Sequence, residues 1–349
     1  MPKNPIPIIE ARGTHREVGR QIGEQCKSQI QSMFAGLRDE LPKGTTWEAM
    51  LDQSKAYLAH SRGVYPQYVD ELEGIAEGAG LPFDEVFLSM CEELWEDNAW
   101  HGCTDMAARG KATADGTTLI AHTNDLLPKA EPLLVILKVQ AGSEPEYLGI
   151  SSGGIAISAG YNAAKISLTG NQLDSNDVRR GVPRLLVVRA ILGARTLSEA
   201  MTHCLLPSRA SSYNNLIADG SGEVYSMEGS ATDLEAIYIT DDVMAHANHY
   251  ISPSMRRFER DRSSIASSII RHNRAEYLLR QNYGGLTPEL FHILLADHAG
   301  YPSSICSHGT ETQTVFSIII QLEHLRAWIG RGHACETEYA EYQLDLYQE

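Results

Sequence analysis

The sequence predicts an α+β fold in which two antiparallel sheets lie between outer helices. Helical patterns fill most of the segment before position 103, and strand patterns then recur about every 8–12 residues, with Gly, Ser and Asn between them. Strands and helices come in blocks, without the strict alternation of a doubly wound parallel sheet. The 349 residues contain no internal repeat and no low-complexity linker, so we expect a single domain over 1–349.

A short strand and four helices are expected before position 103. The strand is the stretch IPIIEARG. The first helix begins at Thr14, because Glu17 three residues later completes a capping-box pattern. Pro66 and Gly80 mark the start and the end of a later helix. The four helices are expected over 14–41, 46–63, 66–80 and 82–100.

Strands dominate the expectation for residues 103–332. Asp115 and Gly116 form a hairpin-turn signal between the first two of these strands. The apolar stretches that follow, PLLVILKVQ, PEYLGISSGG, IAISAGYNAA and KISLTGNQL, continue the pattern. Further helices are expected over 182–194, 196–206, 252–283 and 287–298, with strands over 212–250 and a last hairpin over 314–332.

The charge balance excludes several classes of partner. Asp and Glu number 45 against 29 Lys and Arg, a formal charge of −16, whereas binding to phosphate backbones or anionic membranes requires a basic face. No apolar run approaches the roughly 20 residues of a membrane helix, and the first residues lack the apolar core of a secretory signal. We therefore expect a cytoplasmic protein without nucleic-acid or membrane partners.

Motifs for cofactors and metals are missing at the level of the sequence. There is no G-x-G-x-x-G, no phosphate-loop lysine and no G-x-S-x-G. His246 and His249 are expected on a strand with side chains on opposite faces, so no zinc site is expected there. The six cysteines form no C-x-x-C pair and are expected as free thiols: Cys26, Cys91, Cys103, Cys204, Cys306 and Cys335.

Cys103 admits two interpretations from the residues alone. The simpler one is a small buried thiol at the start of a strand. The other is a nucleophile that attacks the carbonyl of Gly102, a residue whose backbone tolerates strained geometry. Hydrolysis would then free an α-amino group on Cys103, with a reference pKa of about 7.7–8.0, that can act as the general base for its own thiol.

Several stretches in order resemble one enzyme family. They are GTHREVGRQIG, with Gly13, Thr14, Glu17, Gly19 and Gly23; YVDELEGIAEGAG; GCT; TLIAHTND; GYNAAKISLTGNQL; MAHANHY; YPSSIC and TVFSIII…GRG. Together they resemble the acyl-coenzyme A:6-aminopenicillanate acyltransferase family of self-processing cysteine N-terminal nucleophile (Ntn) hydrolases, over nearly the whole chain. The resemblance implies an Ntn-hydrolase αββα sandwich, cut between Gly102 and Cys103 into a helical segment 1–102 and a catalytic segment 103–349.

The resemblance also implies roles for individual residues. Cys103 would be the nucleophile, Asn248 a donor to the oxyanion, and Asp125 a group that holds the Cys103 amine or polarises the cleavage site. Without the family, Asn248 would be interpreted as a turn residue and Asp125 as a cap. Four further residues are weaker candidates for the substrate pocket, with ordinary sheet polarity or a solvated strand end as the alternative: Tyr161, Asn162, Asn171 and Glu228. Where the family can carry an arginine after S-I-C, this chain has Ser307, which argues against recognition of a penicillin carboxylate.

Three functions remain open from the sequence. The first is a self-processing amidohydrolase that cleaves a small-molecule amide through a thioester on Cys103. The second is an acyltransferase that passes the acyl group to an amine. The third is an uncleaved, inactive binding protein of the same fold. A small-molecule amide is the expected partner, a homo-oligomer is possible, and no cofactor or metal is expected.

Overall fold

Two sheets form the centre of the computed structural model, which describes residues 5–95 and 102–347. The described strands are β1 Ile8–Gly13, β2 Gly102–Ala108, β3 Leu119–Leu126, β4 Leu134–Ala141, β5 Tyr147–Ser152, β6 Ala156–Asn162, β7 Ile166–Asn171, β8 Asn214–Asp219, β9 Val224–Gly229, β10 Leu234–Tyr238, β11 Val243–His246, β12 Gln313–Gln321, β13 Arg326–Arg331 and β14 Ala340–Gln343. The larger sheet has the order β1-β4-β5-β6-β7-β8-β9-β10 and the smaller one β11-β2-β3-β12-β13-β14.

The helices cover the two outer faces of the sheets. They are α1 His15–Gln25, α2 Lys27–Asp39, α3 Trp47–Val64, α4 Pro66–Ala79, α5 Phe83–Ser89, α6 Arg184–Gly193, α7 Leu197–Cys204, α8 Ala266–Gln281 and α9 Pro288–Leu295. The first seven share an apolar core with one face of the larger sheet, whereas α8 and α9 share another with the outer face of the smaller sheet. Among the described residues, no helix has both the length and the apolar character needed to cross a membrane.

A third apolar core lies between the sheets and shows that they are stacked. Ile136 and Ile150 of the larger sheet meet Ile318 of the smaller sheet there, whereas Val135 and Leu137 face the outer helices. This division follows from the alternation of side chains along a strand. The expected α+β sandwich of two sheets between helical layers is therefore confirmed.

Several helix ends follow the sequence, and one predicted helix is divided in two. Thr14 and Glu17 make the expected capping box, and Gly80 ends α4 in the left-handed conformation. The helix expected over 14–41 is interrupted at Cys26, because the glycines of α1 hold it directly against α4 while α2 turns its own apolar face toward the core. A Cβ atom on Gly19 would lie 1.9 Å from the carbonyl oxygen of Glu71.

Three other expectations are wrong in detail. The helix expected over 82–100 ends at Ser89 within the described residues. The helix expected over 252–283 begins only at Ala266, because a bend at Asp261, whose carboxylate accepts the Ser263 N–H at 2.8 Å, separates it from the preceding turns. The larger sheet is also not wholly antiparallel, since β1 pairs in parallel with β4.

Candidate active site

Cys103 is the second residue of β2, which lies next to the edge strand of the smaller sheet, between β11 and β3. Its side chain is buried, and its backbone is held on both polar atoms. The N–H donates to Asn248 Oδ1 at 2.8 Å, and the carbonyl oxygen accepts from Arg271 of α8. The backbone N–H and the carbonyl oxygen of Cys103 are therefore both held by side chains from outside β2.

Arg271 connects this backbone to Asn248. Its guanidinium also donates to Thr104 Oγ1 at 3.0 Å and to Asn248 Oδ1 at 2.8 Å, and it is only 2% exposed. Two donors, the Cys103 N–H and Arg271, thus identify the oxygen of the Asn248 amide. Sequence reasoning missed Arg271, because a single basic residue on an amphipathic helix carries no motif.

Asn248 lies directly after β11 and is held from two sides. Its backbone N–H donates to Ser268 Oγ at 2.6 Å, and its Nδ2 donates to the carbonyl oxygen of Gln172 at 3.1 Å. In the continuous chain the side chain therefore accepts from the Cys103 amide and donates elsewhere. Its expected role as donor to an oxyanion stays a prediction for the cleaved form.

Asp125 faces the other half of the Gly102–Cys103 bond. It stands opposite Gly102 in the β2–β3 register, and a Cβ atom on Gly102 would lie 2.7 Å from Asp125 Oδ2, so any side chain at position 102 would displace the Asp125 carboxylate. Thr314 donates to Asp125 Oδ1 at 2.6 Å. Burial raises the pKa of this carboxyl group to about 6, against the opposing effect of Arg271.

Burial also keeps the Cys103 thiol protonated. Burial, with the carboxylates of Asp125 and Asp105, raises its pKa to about 12, whereas Arg271 and a backbone hydrogen bond from Gln172 act in the opposite direction. A thiol acts as a nucleophile only as its thiolate, so this role would require a base that takes the Cys103 proton.

A cavity of about 750 Å³ opens beside Cys103. Apolar side chains provide most of its lining surface, among them Met33, Leu37, Trp95, Leu126, Leu127, Ile155, Ile157, Leu168, Leu185 and Val188. Among the described lining residues, the two cationic ones, Arg184 and Lys129, are paired with Glu92 and Glu40. The Arg184 guanidinium also lies over the ring of Tyr213 at 3.8 Å, so the cavity presents an apolar surface with neutralised charges.

A row of polar side chains leads along β2 and β3 to this cavity. Asp105 Oδ1 lies 2.7 Å from His122 Nδ1, and His122 Nε2 lies 3.3 Å from Asn124 Nδ2. Asn124 pairs with Cys103 in the register and lines the cavity. Its buried Oδ1 has no hydrogen-bond partner among the described residues. Strand alternation could have identified Asn124 from the sequence, because neighbouring side chains of a strand point to opposite faces and Asn124 therefore lies on the face away from Asp125.

The four weaker pocket candidates do not line the cavity. Tyr161 donates its hydroxyl to the carbonyl oxygen of Leu325 between the sheets. Asn162 Nδ2 donates to the carbonyl oxygens of Leu192 and Ala194, while its Oδ1 accepts two N–H groups of the β6–β7 turn. Each is fully engaged in joining elements together, which leaves it no part in the cavity wall.

Asn171 and Glu228 are likewise engaged elsewhere, on either side of His246. His246 Nδ1 lies 3.0 Å from Asn171 Oδ1, and its Nε2 lies 2.8 Å from Glu228 Oε1. Glu228 also accepts the N–H groups of Ile251 and Ser252. This buried network fixes the segment that carries Asn248, so Asn171 and Glu228 help to position Asn248 without lining the cavity.

Comparison with known proteins agrees with this geometry. A family model described as acyl-coenzyme A:6-aminopenicillanic acid acyl-transferase matches residues 112–334. The chain belongs to this family. The expected class of enzyme, an acylase or acyltransferase, is thereby confirmed.

Relatives of this chain, and a solved structure that resembles it, carry acyltransferase or hydrolase names. The acyl-coenzyme A:6-aminopenicillanic-acid-acyltransferase 40 kDa form of Emericella nidulans is 26% identical over 340 residues, which are 93% of this chain and 92% of that protein. The β-alanyl-dopamine/carcinine hydrolase of Drosophila melanogaster is 28% identical over 137 residues, 35% of this chain and 34% of its own length. A conjugated bile acid hydrolase from Clostridium perfringens has 8% identity, a TM-score of 0.45, and coverage of 70% of this chain and 97% of its own.

Proposed function

We propose that this family member is a self-processing amidohydrolase whose nucleophile is Cys103. The observation that carries the proposal is the way in which the Gly102–Cys103 amide is held. Asn248 accepts its N–H at 2.8 Å, Asp125 fills the space that a Gly102 side chain would need, and the cysteine beside it lines an apolar cavity. A thiol, its target amide and a carboxylate with a pKa near 6 thus stand together.

The first step cuts the chain. The Cys103 sulfur attacks the Gly102 carbonyl carbon, an S–C bond forms, and the C–N bond breaks while the thiol proton passes to the nitrogen. Asp125 is the nearby carboxylate able to relay that proton. Water then hydrolyses the thioester, which leaves a carboxyl group on Gly102 and a free amine and thiol on Cys103, the ends of segments 1–102 and 103–349.

The second step acts on the substrate. The freed α-amine, with a reference pKa of about 7.7–8.0, takes the thiol proton as the sulfur attacks an amide carbonyl. A thioester forms, the amine of the substrate leaves with that proton, and water releases the acid. Asn248, relieved of the Gly102–Cys103 amide, then contacts the new amine and supplies the Nδ2 donor expected for the oxyanion.

The cavity suggests the chemical class of the acyl group. Its wall is mostly apolar, and Arg184 and Lys129 are already paired with carboxylates. A neutral, apolar acyl group buries its surface there without leaving a charge unpaired. A penicillin-type carboxylate finds no free cation among the described lining residues, in keeping with Ser307 in place of an arginine.

Transfer to an amine is the second candidate, because relatives of this chain carry both acyltransferase and hydrolase names. The thioester is the same in both reactions, and water access decides between them. Incubation of processed protein with an N-acyl amide and an excess of a second amine separates them. Release of free acid alone supports hydrolysis, and a new amide at the expense of acid supports transfer.

Intact-mass measurement of the purified chain tests the proposal. Two fragments that meet between Gly102 and Cys103 are expected, together with a single uncut mass for Cys103→Ala. Cys204→Ala is the matched control, since Cys204 is equally buried but lies at the end of α7. A wild-type chain that stays uncut for days, and whose function is unchanged by Cys103→Ala, would support the third function, an uncleaved binding protein.

A further inference from the structure

Four side chains from three separate segments converge on one point outside the Cys103 cavity. His298 follows α9, Cys306 and His308 precede β12, and Cys335 follows β13. One donor atom of each, an imidazole nitrogen or a thiol sulfur, lies within 4.8 Å of the other three. Cys306 ends the stretch YPSSIC of the family resemblance but has no role assigned there, and the proposed reaction uses none of the four side chains.

Three of the six separations between the donor atoms are close to the edges of a metal-binding tetrahedron. His308 Nε2 lies 3.1 Å from His298 Nε2, 3.5 Å from Cys306 Sγ and 3.3 Å from Cys335 Sγ. Zinc–nitrogen bonds of about 2.0–2.1 Å and zinc–sulfur bonds of about 2.3 Å imply edges of about 3.3–3.8 Å. Closing the cluster around an ion therefore needs shifts of only a few tenths of an ångström on these three edges.

Hydrogen bonding alone does not account for the cluster. The neutral imidazole of His308 has one acceptor lone pair on its ring nitrogen. Three groups, His298 Nε2 and the two thiols, all approach His308 Nε2. In either tautomer that nitrogen carries one lone pair or one N–H, which does not serve three neighbours, whereas a cation accepts a lone pair from all four groups at once.

His333 and Glu336 lie next to this cluster, beside His308. The His333 ring lies 3.8 Å from the His308 ring between centroids, and its Nδ1 lies 3.5 Å from Glu336 Oε2. Among the described residues, the buried Nε2 of His333 has no hydrogen-bond partner. His333 therefore packs against His308 through its ring and does not hydrogen-bond to it.

We propose that His298, Cys306, His308 and Cys335 bind one divalent transition-metal ion, Zn²⁺ by its preference for nitrogen and thiolate ligands in tetrahedral geometry. This replaces the expectation of a chain without metal. The sequence concealed the site because its ligands are spaced C-x-H and then far apart, without the C-x-x-C pair that usually identifies such sites.

Four protein ligands leave no open position, so the ion is structural. It joins the segments after α9 and β13 to the segment that contains Ser307. The Ser307 N–H donates to Thr314 Oγ1 at 2.9 Å, and Thr314 in turn donates to Asp125 Oδ1. The metal site therefore fixes a backbone segment that is two hydrogen bonds away from the cleavage site.

Metal analysis of the full-length chain tests the site directly. Protein is purified under reducing conditions, loaded with Zn²⁺ and then dialysed to remove unbound metal. It is expected to retain about one zinc per chain, and Co²⁺ in its place should give the strong visible absorption of a tetrahedral thiolate complex. Cys335→Ser and His298→Ala, both at exposed positions, should lose at least nine-tenths of the bound zinc. His60→Ala, an exposed histidine on α3, and Cys204→Ala should keep it.

Three results would overturn the site. One is a reduced chain that retains no zinc after dialysis. Another is unchanged zinc content in both Cys335→Ser and His298→Ala. The third is a chain kept under reducing conditions whose mass is lower by two hydrogen atoms, with a peptide that joins Cys306 to Cys335, because a disulfide removes both thiolate ligands. Each readout is independent of cleavage at Gly102, so failure here leaves the proposed reaction untouched.

Discussion

Cys103 and the Cys306–Cys335 pair are cysteines in contrasting surroundings. The charged groups that act on the Cys103 thiol are the carboxylates of Asp125 and Asp105 and the Arg271 guanidinium, and an apolar cavity opens beside it. Around Cys306 and Cys335, two thiols and two imidazoles converge at metal-ligand distances. A solitary thiol next to an empty volume has room for a reacting carbonyl, whereas converging donors leave room only for an ion.

The comparison teaches that the neighbours of a cysteine indicate its chemistry better than its burial does. Burial raises the pKa of both Cys103 and Cys306 to about 12. What distinguishes them is the partner that can take or replace the thiol proton: a carboxylate that accepts the proton of Cys103, and a cation that displaces the proton of Cys306.

The strongest test of this contrast is a pair of reciprocal substitutions. Cys103→Ala should abolish both chain cleavage and acyl release while zinc content stays unchanged. Cys335→Ser should abolish zinc binding while cleavage at Gly102 still occurs. Intact mass and metal content, measured on the same samples, give both readouts. Loss of both properties in either variant would show that the two regions do not act separately.

Arg271→Met should have the next largest effect. It leaves the buried Asp125 carboxylate without its cation and the Cys103 carbonyl without its donor, and breaking a buried charged contact costs about 3–5 kcal/mol. Arg271→Lys should recover part of the loss in denaturant unfolding and in cleavage rate. Arg280→Met, on the same helix but half-exposed, is the control and should change stability by less than about 1 kcal/mol. Equal losses of stability and of cleavage rate in Arg271→Met and Arg280→Met would contradict this role of Arg271.

The pH dependence of cleavage should report Asp125. Because its pKa is raised to about 6, the ionised carboxylate is lost as the pH falls below that value, and the cleavage rate should fall by about tenfold per pH unit there. Asp125→Asn should be slow and lack this inflection. The same shift means that Asp125 favours the folded state at acidic pH and that this contribution disappears as the pH rises through about 6. A wild-type profile without an inflection between pH 5 and 7 would contradict the role.

The smallest predicted effect concerns the length of the acyl group. Ala156 lines the cavity, and Ala156→Leu should shorten the preferred acyl chain. One methylene that no longer fits costs about 1–3 kcal/mol, or roughly 10–200-fold in kcat/KM. Ala114→Leu, at an exposed loop position, should leave the preference unchanged. A profile of N-acyl amides that is identical in all three proteins would place the acyl group outside this cavity.

Local signals in the sequence predicted much of the fold. The capping box at Thr14, the glycine that ends α4 and the alternation along β4 each depend on neighbouring residues alone. The parallel pairing of β1 with β4 could not be predicted in this way, because it joins segments more than a hundred residues apart. Apolar periodicity also extended α8 too far toward its N-terminus, since a side-chain turn at Asp261 overrides it.

The candidate site divides along the same line. Cys103, Asp125 and Asn248 lie in recognisable stretches, and the structure brings all three to the Gly102–Cys103 amide. Arg271 reaches the same amide from a helix without a motif, and only the tertiary structure identifies it. Polar strand residues such as Glu228 are only weak pocket candidates from the sequence, because it does not indicate which face of the sheet holds the cavity.

Trapping of the acyl-enzyme tests the central claim most directly. Processed protein is mixed with an apolar N-acyl amide, quenched in acid and analysed by intact and peptide mass spectrometry. The account predicts that the acyl mass is found as a thioester on the fragment that begins with Cys103, whose α-amine is free. An acyl group on any other residue, or on an uncut chain, would contradict it.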